Sequence, residues 1–100
     1  MKVELLYWDG CPSVAEARHL LAKALAERGI VQPIVEREIL THDEAVAARF
    51  PGSPTILIDG VDVDAAGADT HYSLTCRIYR LPDGRVSPVP SIQQLEEALR

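Results

Sequence analysis

One hundred residues make a single domain, 1–100, with chain for one hydrophobic core. At 47% apolar and 25% charged residues the composition excludes a disordered chain, and no apolar run nears the roughly 20 residues that cross a bilayer. The net charge is -5 and the ten Lys and Arg form no block, so neither nucleic acid nor a membrane is an expected partner. Met1 to Gly10 carries Glu4 and Asp9 and no leader-peptide pattern, which places the expectation in the cytoplasm, where thiols stay reduced. Two cysteines far apart in the chain then read as reactive, metal-binding or inert, rather than as a structural disulfide.

Lys2 to Trp8 reads as a buried strand, ended by the turn signal Asp9-Gly10. From Cys11 the period becomes helical, with Val14, Ala17, Leu21, Ala24, Leu25 and Arg28 on one face and Leu20 widening it. Pro12 suits the first helical position, which makes Cys11 the cap, and Gly29 closes the helix. Ile34 to Leu40 alternates as a second strand that Pro33 marks as an edge. Thr41 and Glu44 have capping-box spacing ahead of a short helix over Ala45, Val46 and Ala48, reaching at most Arg49, which Phe50-Pro51-Gly52 stops. Thr55 to Ile58 is a third strand and Asp59-Gly60 a hairpin signal. Residues 61 to 75 hold no sustained period. Leu74 to Leu81 predicts a fourth strand through Ile78 and Tyr79, with a short helix before Tyr79 as the competing reading. Pro82-Asp83-Gly84 is a turn, Val86 to Pro90 is extended, and Ser91 to Gln94 caps a last helix through Ile92, Leu95, Ala98 and Leu99.

The order β-α-β-α-β-β-α predicts an α/β fold whose first unit is parallel and whose hairpin is antiparallel, giving a mixed four-stranded sheet flanked by helices. Trp8-Asp9-Gly10-Cys11-Pro12 after the first strand and Ser53-Pro54-Thr55 before the third carry a resemblance to the thioredoxin superfamily across nearly the whole chain. The resemblance implies a thioredoxin-like fold, a cis peptide bond before Pro54, and a substrate site over Trp8, Pro12, Ser53, Pro54 and Thr55. A trans Gly-Ser-Pro turn fits the same residues. The chain departs from the family's Cys-x-x-Cys, with Ser13 and Val14 where the family ends on the second cysteine. Small chains with a Gly-Cys-Pro turn are also similar to sequences of the alkylmercury-lyase-like type.

A thiol at a helix start meets backbone N–H groups that favour thiolate, and Asp9 opposes that by repulsion. Cys11 is therefore the candidate nucleophile, against a plain capping role. Cys76, between Leu74 and Ile78, reads as a buried or half-buried strand thiol or as a partner that resolves Cys11. Tyr7 and Trp8 are core residues or an apolar wall for a substrate. His19, His42 and His71 lack zinc spacing, and Asp59, Asp62, Asp64 and Asp69 do not match a calcium loop, so all seven read as surface residues and neither metal nor cofactor is expected. Three functions stand open. The first is an oxidoreductase exchanging disulfides with protein or low-molecular-weight thiols through Cys11, with Cys76 as resolving thiol. The second is a soft-metal or organomercurial binder using both thiols. The third is a non-catalytic module laying extended peptides along the Pro54 loop. The sequence leaves the oligomeric state open.

Overall fold

The computed structural model describes residues 1–64 and 72–100 of the chain. Its elements in order are β1 (Val3–Tyr7), α1 (Val14–Glu27), β2 (Ile34–Glu38), α2 (His42–Ala47), β3 (Thr55–Ile58), β4 (Val61–Asp62), β5 (Tyr79–Arg80), β6 (Val86–Ser87) and α3 (Ile92–Ala98). Four strands form one mixed sheet in the order β2-β1-β3-β4. β1 runs parallel to β2, with Val3 opposite Ile34, and antiparallel to β3, with Val3 opposite Ile58.

The two faces of β1 separate because successive side chains of a strand point opposite ways. Val3 and Leu5 join Leu21 and Leu25 of α1, Ile56 and Ile58 of β3, and Leu95 and Leu99 beside α3 in the larger core. Leu6 turns to the other face, where Ile39, Ala45 and Phe50 close a smaller core beneath α2. β2 is the exposed edge expected from Pro33. It is shorter than the alternation predicts: Ile39 is buried, its N–H donating to the Tyr7 carbonyl at 2.7 Å, and Leu40 is exposed.

Local signals set the helix ends, at Gly29 as expected for α1 but at Arg49 for α2, ahead of the Phe50-Pro51-Gly52 stop. At the end of α1, Gly29 adopts φ 66°, the Ile30 N–H reaches back to Leu25 at 2.9 Å, and Ile30 packs on the larger core. This is the two-bond C-terminal closure that glycine permits. α2 ends the same way on Arg49 at φ 52°, with the Phe50 N–H donating to Ala45 at 2.8 Å. The Ser91 hydroxyl accepts from the Gln94 N–H while the Gln94 side chain accepts from the Ser91 N–H, a complete capping box.

Two expectations need correction. The helix does not begin at Pro12 with Cys11 as its cap: the cap is Ser13, whose carbonyl accepts the first helical bond from Ala17 at 3.1 Å. The Cys11 N–H is instead committed backwards to Trp8 at 3.1 Å, so the strand-to-helix turn runs two residues longer. The fourth strand of the sheet is Val61–Asp62, not Leu74 to Leu81. Asp59 and Gly60 both take positive φ, 52° and 80°, and fold the chain straight back onto β3. Of the predicted strand, Tyr79–Arg80 pairs with Val86–Ser87 in a separate ribbon around the Pro82-Asp83-Gly84 turn, and Cys76 makes an isolated bridge elsewhere. That ribbon is tied to α3 by the Gln94 side chain, which donates to the Arg80 carbonyl at 3.0 Å.

Candidate functional site

Cys11 stands where β1 leaves the sheet, half-buried between the exposed residues Gly10 and Pro12. Gly10 is required by close approach: a Cβ there would lie 2.1 Å from the Trp8 indole, which rests on the turn. Trp8 is half-buried against the smaller core and Tyr7 against the larger, so packing supplies a role for both aromatics.

The Cys11 Sγ lies 3.4 Å from the Ser53 carbonyl and donates to it. Ser53 is buried, its hydroxyl accepts from the Trp8 N–H at 3.3 Å, and its peptide bond to Pro54 is cis. Thr55 is buried too and donates its hydroxyl to the Gly52 carbonyl at 2.6 Å. The two motifs, over forty residues apart, therefore meet at one place: Cys11, Trp8, Ser53, Pro54 and Thr55 are brought together, while Pro12 stays on the exposed rim.

A third segment joins them. The Ser53 N–H donates to the Thr75 carbonyl at 2.7 Å and the Ser53 carbonyl accepts from the Arg77 N–H at 2.9 Å, so Ser53 and Cys76 form an isolated parallel bridge. The backbone groups of Ser53, expected to face an extended substrate, are taken by the chain itself. Cys76 is not a buried strand thiol: it is exposed, and both cysteines are free. Partial burial of its sulfur, and then the neighbouring Cys11 sulfur as a charge and as a hydrogen-bond partner, push the Cys76 thiol above its ordinary value.

The residue that fixes this segment is Arg77, whose side chain is only 3% exposed. Its guanidinium reaches the Asp62 carboxylate at 2.6 and 2.8 Å and the Asp64 carbonyl at 3.2 Å, and sits 4.3 Å from the centre of the Tyr79 ring. The Tyr79 hydroxyl in turn donates to the Pro54 carbonyl at 2.6 Å. Burial raises the Tyr79 phenol well above its usual value, so it remains a donor. Gly52 makes room for the segment, since a Cβ there would lie 3.0 Å from Arg77. Asp62, expected as a surface residue, is thus the half-buried partner of a buried cation.

Arg77 and Tyr79 escape a reading of the sequence because a lone arginine in a weakly patterned stretch carries no sign of burial. Their inward alternation around exposed Ile78 is the one available signal. His19 and His42 are exposed, and Asp59 accepts from the Lys2 N–H at 2.7 Å on the surface. His71 and Asp69 lie outside the described residues. Among the described residues no three His, Cys, Asp or Glu side chains converge as a metal site would require, and no helix is long and apolar enough to cross a membrane. No protein-family model, curated protein or solved structure matches the chain.

Proposed function

We propose that this chain is a thioredoxin-like thiol–disulfide exchange protein in which Cys11 attacks and Cys76 resolves. The observation that carries the reading is the convergence of both cysteines on the backbone of Ser53, one through its sulfur and the other through its strand bridge. The cis peptide bond before Pro54, the strand order β2-β1-β3-β4 and the helices on both sheet faces support the fold-level part of the reading.

The chemistry balances with a disulfide RSSR as oxidant. The Cys11 sulfur, as thiolate, attacks one sulfur of RSSR; the S–S bond breaks, a Cys11–S–S–R mixed disulfide forms, and RS⁻ leaves to take up a proton. The Cys76 sulfur then attacks Cys11, forms the intramolecular disulfide and releases a second RSH. Two electrons pass from the protein thiols to RSSR. No second cysteine is needed one turn into α1, because the segment after residue 72 brings one from elsewhere.

Intact mass after incubation with oxidised glutathione tests this. The wild type is expected to lose two hydrogens, Cys76→Ser to stop as a glutathione adduct, and Cys11→Ser to react far more slowly. A Cys11→Ser protein that takes up glutathione as fast as the wild type removes Cys11 from the reaction. Both thiols recovered free after mild oxidation removes Cys76.

A further inference from the structure

We infer that Thr75–Arg77 is a built-in strand filling the peptide-docking edge of the Ser53-Pro54 loop, so that Cys11 takes low-molecular-weight disulfides in preference to extended peptides; the inference rests on the exchange function proposed above. An extended peptide gains affinity on a protein edge by pairing its backbone with free N–H and C=O groups. Around Cys11 those groups are occupied. The Ser53 N–H is bonded to Thr75, the Ser53 carbonyl to Arg77, and the Pro54 carbonyl to the Tyr79 hydroxyl. Displacing the segment would also uncover Arg77, which is buried and held by Asp62 and Asp64.

The sulfur itself is not closed off. Cys11 is half-buried between exposed Gly10 and Pro12, and the exposed Cys76 stands beside it on the strand side. A small disulfide needs only a path for two sulfur atoms in line with Cys11, and no backbone pairing. The same strand that excludes peptides delivers the resolving thiol, so removing it would change substrate choice and completion of the reaction together.

Two probes with a common leaving group separate the classes: hydroxyethyl disulfide, and an uncharged extended peptide whose single cysteine is capped as a mixed disulfide with mercaptoethanol. Each rate is divided by that of free N-acetylcysteine with the same probe, which removes intrinsic reactivity. The wild type is expected to favour the small disulfide by about tenfold or more, the worth of two backbone hydrogen bonds denied to the peptide. Arg77→Pro deletes the N–H that bonds to Ser53, and Asp62→Asn loosens the ion pair while keeping its size; each should raise the peptide rate and narrow the preference. If Arg77→Pro does not fold, the wild-type ratio and Asp62→Asn decide. Equal normalised rates in the wild type, or folded variants with an unchanged preference, overturn the inference while leaving the exchange function standing. Reaction with neither probe overturns both.

Discussion

Asp62→Ala deletes the two carboxylate oxygens that hold Arg77 at 2.6 and 2.8 Å and leaves a guanidinium whose side chain is 3% exposed. Removing one partner of a buried ion pair costs about 3–5 kcal/mol, because the charge left behind is neither solvated nor paired. Arg77 keeps the Asp64 carbonyl and the face of Tyr79, and the Asp62 side chain is 14% exposed, so water can enter where the carboxylate was. Both facts place the expected loss at the lower end, about 3 kcal/mol. Against a total stability of about 5–15 kcal/mol that is a large fraction, and at roughly 4–8 °C per kcal/mol it lowers the melting temperature by roughly 12–24 °C. Urea unfolding followed by circular dichroism, with a denaturant slope equal to the wild type's, measures it. A loss under about 1 kcal/mol would be that of an exposed pair and would refute the burial of Arg77. The double variant Asp62→Leu with Arg77→Met should recover most of the loss, since an apolar pair of similar volume leaves no charge stranded.

Gly52→Ala places a methyl group 3.0 Å from Arg77 at a φ of 148°, and is expected to cost about 1–3 kcal/mol in the same unfolding assay; a change near zero would mean that the segment after residue 72 lies further from the Pro54 loop. Arg49→Gly relieves a left-handed residue at the end of α2 and should raise stability by about 0.5–1 kcal/mol, whereas Arg49→Ala should not. The Glu27 side chain, by hydrogen bonding, with some desolvation and like charge, raises the Glu96 carboxyl above its ordinary value. A raised carboxyl gives stability that is complete below its unfolded value and is lost as pH rises through the folded one. Glu96→Gln should therefore gain on the wild type in melting temperature as pH climbs from the acid side towards neutrality, and a difference independent of pH would refute the coupling.

The elements legible from residues alone are those whose causes lie a few positions apart. Gly29 and the Ser91–Gln94 box each satisfy their own backbone within one turn, and the Asp59-Gly60 turn reverses the chain through its own positive φ values. The start of α1 lies two residues beyond the one Pro12 suggests: Cys11 closes a turn on the Trp8 carbonyl, and Ser13 is the first residue whose carbonyl accepts a helical bond.

What only the tertiary structure decided is everything that depends on pairing across the chain. The residues around Pro54 fit a cis or a trans turn equally, and it is cis in the fold. Cys76 lies in the stretch expected to be the sheet's fourth strand, and its place beside Ser53 is held by the pairing of Arg77 with Asp62 some fifteen residues away, an electrostatic match that leaves no trace in local pattern. Composition and periodicity record which side chains avoid water. Which buried charge meets which, and so which thiol stands next to Cys11, is settled only when the chain closes on itself.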